Sequence, residues 1–184
     1  MEDNNTTPFS VIYESFLSKI TDDMYMELTK EDTYRMLEDL LISAIPKFEF
    51  PRKNLFDYVL GKDVEDLVLN DSGYIDPSDH YEVGYFNTEL TPEEVNILAT
   101  YMIVEWLGQQ LASIENTRMK FSGTDFKFTS QANHMQKLLV IKKDYEREGF
   151  HLQRLYKRRT PRTKDGAPRS TFDVIMAPIS KGDL

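Results

Sequence analysis

The chain has 184 residues, of which 40% are hydrophobic and 12% aromatic, and its formal net charge is −9. This composition is too apolar for a wholly disordered chain, and the lack of cysteine in the sequence excludes disulfides and thiolate chemistry. No stretch approaches the roughly 18 to 20 apolar residues that span a bilayer. The segment MEDNNTTPF lacks the basic and apolar regions of a secretory signal. We therefore expect a protein made in a cytosol, without a membrane partner.

Two helices are predicted within the first fifty residues. Thr7 is placed to cap the first helix and Pro8 to begin it. Thr29 and Asp32 approximate a capping box for the second helix, which Pro46 ends. The residues predicted to face the core are Phe9, Ile12, Tyr13, Phe16, Leu17 and Ile20 in the first helix and Leu37, Leu40, Leu41, Ala44 and Ile45 in the second.

The next forty residues have a less regular pattern. PRKNLFDYVLG, residues 51–61, is interpreted as a short helix that Gly61 ends. NDSGYIDPSD, residues 70–79, is rich in turn formers and is predicted to be a surface loop. HYEVGYF, residues 80–86, is predicted to form a short strand that Gly84 weakens.

A long helix beginning at Pro92 has the clearest signal in the sequence. Thr91 and Glu94 form a full capping box around the proline. The apolar residues of this helix cover more than one side, which predicts a central core helix. They are Val95, Ile97, Leu98, Tyr101, Met102, Ile103, Val104, Trp106, Leu107, Leu111 and Ile114.

A hairpin and a second long helix are predicted to follow. MKFSGTDFKF, residues 119–128, resembles two short strands around the turn SGTD. The last helix is predicted to start near Ser130, with Gly149 marking a kink, a close approach of another helix or a weak point. Its apolar face contains Met135, Leu138, Ile141, Tyr145, Leu152 and Tyr156.

The fold class that these elements predict is mainly α. We expect a helical bundle over residues 1–159, with two long C-terminal helices and a short β-hairpin between them. An extended arm, residues 160–184, is expected to follow, because two prolines and a glycine beyond Arg159 disfavour further helix. This stretch is called the arm below.

The net charge divides unevenly along the chain. Residues 1–116 contain 7 Lys+Arg and 24 Asp+Glu, whereas residues 117–184 contain 15 and 7. Such asymmetry points to a charged partner or to contacts between copies. The predicted partner-binding residues are a basic group, Lys157, Arg158, Arg159, Arg162, Lys164 and Arg169, and an apolar group, Phe172, Val174, Ile175, Met176 and Ile179. Folding of the arm onto its own core is the alternative.

The sequence gives little support to catalysis. It contains no Gly-rich phosphate loop, no G-x-S-x-G and no H-E-x-x-H. His134 and His151 lie on one predicted helix, about 25 Å apart at 1.5 Å per residue, and cannot share a metal within one chain. The stretch DPSDHYE is predicted to be a solvated acidic turn rather than a cation loop. We expect a non-enzymatic protein with no catalytic residues, no cofactor and no metal.

Residues 85–160 resemble the neck proteins of tailed bacteriophages, in the head-to-tail connector or adaptor class. The resemblance lies in the proline-capped helix with EEVNILATYMIVEWL, a Phe-bearing turn and the second helix SQANHMQKLLVIKKDYEREGFHLQRLYKRR. It implies a structural protein of the virion, assembled in the host cytoplasm. It further implies a twelvefold ring on the portal, contacts with other neck or tail proteins, and a channel through which double-stranded DNA passes without specific binding.

Two alternatives to a neck protein remain open from the sequence. The first is a structural protein of the tail or baseplate, which has the same general composition. The second is a small nucleic-acid-binding accessory protein that uses residues 157–169 to follow a phosphate backbone. The acidic balance of the rest of the chain disfavours the second alternative.

Overall fold

The structure is a computed structural model and describes residues 6–20, 28–63, 81–120 and 128–159. Within these residues the fold is mainly helical, as predicted. The helices are α1 (Phe9–Leu17), α2 (Lys30–Ala44), a single 3-10 turn (Ile45–Lys47), α3 (Pro92–Lys120) and α4 (Phe128–Arg158). The two long helices expected at the end of the bundle are confirmed.

Five two-residue strands accompany the helices in the described part of the chain. They are β1 (Thr7–Pro8), β2 (Tyr58–Val59), β3 (Lys62–Asp63), β4 (Tyr81–Glu82) and β5 (Tyr85–Phe86). The first sheet has the antiparallel order β1-β5-β2, and β3 pairs with β4. The predicted strand over residues 80–86 is thus two strands separated at Gly84, whose carbonyl accepts a hydrogen bond of 2.8 Å from the Phe9 amide.

Helix α3 lies at the centre of the molecule, and α1, α2 and α4 all pack against it. The predicted apolar faces of α1 and α2 are confirmed, with their central residues fully buried. The buried residues of α3 are Val95, Ile97, Leu98, Ala99, Tyr101, Met102, Ile103, Val104 and Leu107. The prediction of a core helix is therefore confirmed, because burial on several sides needs apolar residues all round.

The caps agree with the sequence at two helices and differ at one. The Asp32 amide donates to Thr29 Oγ1 at 3.1 Å, as the capping-box prediction requires. The prediction that Thr7 caps α1 is wrong. Its hydroxyl instead accepts from the Leu90 amide at 2.7 Å and donates to the Thr88 carbonyl at 3.0 Å. Thr7 therefore ties β1 to the segment that leads into α3.

The helix predicted over residues 51–61 is wrong, because this segment forms turns and β2. Asn54 explains the difference, since its Oδ1 accepts a hydrogen bond of 3.1 Å from the Phe56 amide. Such a local bond gives the backbone an alternative to the helix. Gly61 is not a helix cap, and its amide donates to Glu38 at 2.7 Å.

The segment between the long helices is shorter than predicted. Met119 and Lys120 belong to α3 and Phe128 to α4, so these parts of the predicted hairpin are helical. Residues 121–127 lie outside the described residues, as do the predicted loop over 70–79 and the whole arm.

Helices α3 and α4 pack along a seam with coiled-coil spacing. Seven of the buried or half-buried positions of α4 follow each other at alternating steps of three and four residues. They are Met135, Leu138, Lys142, Tyr145, Gly149, Leu152 and Tyr156. Ile141 is therefore wrongly predicted to face the core, and it is 43% exposed. Lys142 lies there instead, because its aliphatic stem packs near Gly108 while its ammonium reaches Glu146 at 2.7 Å.

Gly149 marks a close approach between these two helices. A Cβ at this position would lie 2.9 Å from the Tyr101 ring, which is tighter than van der Waals contact allows. The ring is buried, and its hydroxyl is hydrogen-bonded to Gln153 at 2.5 Å, so it is held in place. The glycine therefore lets α4 approach α3 at the level of Tyr101.

A pair of glycine substitutions tests this close approach. Gly149→Ala should destabilise the protein by about 1–3 kcal/mol, because the added methyl overpacks a held ring. Gly108→Ala is the matched control, since a Cβ there lies 3.6 Å from the Lys142 side chain, an ordinary contact. We expect that control to stabilise by up to about 1 kcal/mol through helix propensity. Urea denaturation measures both, and equal stabilisation by the two alanines would contradict the close approach.

Candidate assembly site at the end of the last helix

The last two turns of α4 are fixed to the rest of the protein by polar contacts. Buried Gln153 makes three of them. Its Nε2 donates to the Lys47 carbonyl at 2.8 Å and to the Tyr101 hydroxyl at 2.5 Å. Its Oε1 accepts from the Glu49 amide at 2.7 Å. One side chain thus joins α4, α3 and the turn that follows α2, and both ends of its amide are used.

Glu94 joins the first turn of α3 to the last turn of α4. Its Oε2 accepts from the amide and the hydroxyl of Thr91 at 2.8 and 2.9 Å, which completes the predicted capping box. Its Oε1 accepts from the Tyr156 hydroxyl. Glu94 is 1% exposed, so a buried carboxylate is satisfied by the helix start on one side and by α4 on the other.

Arg52 completes this end of α4. Its guanidinium donates to the carbonyl of Tyr156 at 2.6 Å and also to the carbonyl of Arg159. The same group lies 4.3 Å from the centre of the Tyr156 ring. A cation at the carbonyl end of a helix is favourable, because the last carbonyls carry partial negative charge and lack helical partners. We call Arg52, Glu94, Gln153 and Tyr156 the anchor.

Of the predicted partner-binding residues, the structure describes Lys157, Arg158 and Arg159. Lys157 lies 3.9 Å over the Phe50 ring, and Arg159 pairs with Glu93 at the start of α3. Arg158 is on the exposed side of the same turn. The remaining predicted residues lie outside the described part of the chain: Arg162, Lys164, Arg169, Phe172, Val174, Ile175, Met176 and Ile179.

A cavity of about 180 Å³ opens beside the anchor, between the start of α3 and the end of α4. Its walls are formed by Glu93, Asn96, Ile97, Leu152, Leu155, Tyr156 and Arg159. At its edge, Lys19 Nζ donates to Asn96 Oδ1 at 2.5 Å and to Thr100 Oγ1 at 3.4 Å. Burial lowers the pKa of Lys19, and Glu148 partly offsets that effect. The cavity therefore combines an apolar interior with a charged rim.

A second surface feature lies on α4, nearer its start. Leu139, Val140 and Ile141 are consecutive and are 37%, 50% and 43% exposed. Consecutive residues of a helix point in different directions, so these three side chains expose apolar area around a broad part of the helix surface.

The described residues hold no group of three or more His, Cys, Asp or Glu side chains that could bind a metal ion. His134 and His151 both lie on α4, as predicted. Of the acidic stretch DPSDHYE, residues 76–80 lie outside the described residues, and Glu82 belongs to β4. No helix in the described ranges is long and apolar enough to cross a membrane.

Sequence reasoning missed three members of the anchor. Glu94 was predicted as a cap only, and nothing in the sequence indicates that its second oxygen binds Tyr156. Gln153 interrupts an apolar face, which is a weak signal for a buried polar contact. Arg52 is one basic residue among many, and its role depends on a contact 104 positions away along the chain.

Comparison of the sequence with protein-family models found no match, and comparisons with curated proteins and with solved structures found none either.

Two tyrosine substitutions test the anchor against an internal control. Tyr156→Phe removes the hydrogen bond to the Glu94 carboxylate and should destabilise the protein by about 1.5–3 kcal/mol. Tyr13 is also buried, but its hydroxyl bonds to no residue in the described part of the chain. Tyr13→Phe should therefore be neutral or stabilising, by up to about 1–3 kcal/mol. Denaturant midpoints measure both, and a larger loss for Tyr13→Phe would count against this assignment.

Alkaline pH should unfold the protein through its buried tyrosines. Burial, followed by the bond to Glu94, raises the pKa of Tyr156, and burial followed by the charge of Glu38 raises that of Tyr13. The unfolded chain releases these protons near pH 10, where the folded protein still holds them. The contribution of these two tyrosines to the free energy of unfolding should be constant below about pH 10. Above that pH it should fall by about 1.4 kcal/mol per pH unit per tyrosine.

Melting temperatures between pH 8 and 11 measure this effect. Tyr156→Phe and Tyr13→Phe should each flatten the alkaline decline, because a phenylalanine has no proton to release. An unchanged slope in both variants would show that the decline has another origin.

Proposed function

We propose that this protein is a non-enzymatic structural subunit of a phage virion neck, which assembles as a ring on the portal and extends the DNA channel. The likeness of residues 85–160 to the connector class motivates this proposal. The anchor carries it on the structural side, because it fixes the point from which the arm leaves the bundle.

A fixed exit point is useful in an assembly protein. Gln153, Glu94 and Arg52 hold the last turns of α4 against α3 and the turn after α2. The arm therefore begins at a defined place, after Arg159, and the residues at its base have little conformational freedom to lose when the arm binds a neighbour. A helix end that only had to terminate would not need a buried carboxylate, a buried amide and a guanidinium.

Contacts between copies have two further supports. The exposed residues Leu139, Val140 and Ile141 offer apolar area for subunit contact. The acidic balance of residues 1–116 and the basic balance of residues 117–184 offer opposite charges on one chain. When two different surfaces of identical chains meet, the contact is heterologous and generates a ring if the rotation closes.

The acidic balance also suits a channel that DNA must pass. A negatively charged wall repels phosphate at short range, and salt screens this repulsion beyond about 8 Å. The duplex then moves without lasting contact.

The described basic residues favour protein contacts over phosphate contacts. Lys157 is engaged with an aromatic ring and Arg159 with a carboxylate of the same chain. The charge of Arg159 is thus partly neutralised, and the ammonium of Lys157 is already in contact with a ring, before any ligand arrives. The same subunit contacts would support a position in the tail or baseplate, and the identity of the protein that the ring binds distinguishes that position from the neck.

The oligomeric state of the full chain, alone and with a portal protein, tests this proposal. Light scattering coupled to size exclusion should give a mass many times the 21.5 kDa of one chain, and electron microscopy should show rings. The portal should bind these rings or induce them. A protein that stays monomeric both alone and with a portal would overturn the proposal.

Removal of the arm separates its role from that of the bundle. Deletion of residues 160–184 should leave the helical content unchanged and reduce ring assembly and portal binding. The control is the full chain with Arg162, Lys164 and Arg169 replaced by glutamine, which keeps the apolar residues of the arm. This control should assemble with a weaker salt dependence, because only the screened charge contacts are lost. Unchanged assembly and portal binding after the deletion would exclude a role for the arm.

A further inference from the structure

The cavity beside the anchor has the size of one aromatic ring. Its volume is about 180 Å³, and an apolar protein cavity of about 150 Å³ is large enough to bind benzene. Ile97, Leu152 and Leu155 supply apolar walls, and Glu93, Asn96 and Arg159 lie among its polar lining. A phenylalanine side chain on a peptide matches this arrangement, because its ring suits the interior and its backbone can reach the polar groups.

The arm contains one residue of this kind. Phe172 is the only aromatic residue after Tyr156 in the sequence, and it begins the apolar group that ends at Ile179. Twelve residues, 160–171, separate it from the last described residue, Arg159, which itself lines the cavity. A spacer of this length reaches up to about 40 Å when extended, at 3.3–3.6 Å per residue.

Extension of the spacer favours the cavity of a neighbouring copy over that of the same chain, because Arg159, from which the arm leaves, already lines the chain's own cavity. The spacer carries Arg162, Lys164 and Arg169 against Asp165, and it leaves a helix end that is itself basic. The like charges within the spacer repel each other, and a charged linker therefore extends. Pro161 adds to this effect, because a residue that precedes proline prefers an extended backbone.

From these observations we propose that Phe172 of one copy inserts into the cavity of the adjacent copy, between the start of α3 and the end of α4. This inference rests on the proposed self-assembly and names the contact that links successive subunits. The anchor then has two effects, because it fixes where the arm leaves one copy and it shapes the cavity that receives the arm of the next. The contact is heterologous, and repetition around an axis closes a ring.

The sequence contains no cysteine, so disulfide trapping tests the contact directly. Full chains carrying Phe172→Cys are mixed with differently tagged full chains carrying Leu155→Cys and oxidised. A covalent dimer containing one chain of each kind is expected. Phe150→Cys replaces Leu155→Cys in the matched control, because Phe150 is 47% exposed on α4 and does not line the cavity. The control pair should give little mixed dimer.

Association without a cross-link gives the second measurement. Phe172→Ala should weaken self-association at least about tenfold, as loss of a central aromatic contact does. Leu155→Trp should weaken it to a similar degree, because the larger side chain fills the cavity. Phe150→Ala makes the same chemical change as Phe172→Ala outside the contact and should associate like the unmodified chain. Circular dichroism verifies that each variant keeps its helices.

The outcomes separate this inference from the proposed function. A third variant, a full chain carrying both Phe172→Cys and Leu155→Cys, is oxidised alone. A disulfide that forms within this chain but never between the mixed single-cysteine chains would overturn the contact between copies. Rings that assemble normally with Phe172→Ala and Leu155→Trp would overturn it too, while leaving the proposed function in place. A full chain that stays monomeric alone and with a portal would contradict both.

Discussion

A single buried carboxylate links the start of α3 to the end of α4. Glu94 is bound on one side by Thr91 and on the other by the Tyr156 hydroxyl. Removing water from an ionised group is costly unless hydrogen bonds replace it, so each partner must be present and in place. The position of α4 along α3 is therefore set at this point, and Gln153 fixes it again one turn earlier. The cavity and the exit of the arm both depend on that position.

The fold was largely predictable from the sequence where the signal is local. The capping boxes at Thr29 and Thr91, the apolar faces at helical spacing and the largely apolar stretch of α3 from Val95 to Leu107 all predict the observed helices. The predicted helix over residues 51–61 is wrong because of Asn54. Its side-chain hydrogen bond to the backbone competes with helix formation without changing the hydrophobic pattern. Ile141 was misplaced since hydrophobicity ranks isoleucine above lysine, whereas Lys142 reaches solvent from a seam position.

The candidate site was less predictable, because its contacts join distant parts of the chain. The sequence indicates that residues 157–159 are basic, but not that Lys157 faces Phe50 or that Arg159 faces Glu93. These pairs are more than 60 positions apart, and their register depends on how α4 packs against α3. Charge asymmetry along a sequence thus identifies a surface of interest, whereas the tertiary structure decides which cations are already engaged within the chain.

The outer part of the α3–α4 pair extends beyond the buried core and is held at one end only. Among the described side chains of α3, Leu107 is the last that is buried, and those at positions 108–116 are half-buried or exposed. The thirteen helical residues from Gly108 to Lys120 extend for about 20 Å at 1.5 Å per residue. The base of this stretch is held by the buried residues up to Leu107, so a small bend beyond that point becomes a larger displacement at the outer end of the helix. A helix pair built this way keeps a constant spacing at its base while its outer end is free to adapt to its surroundings.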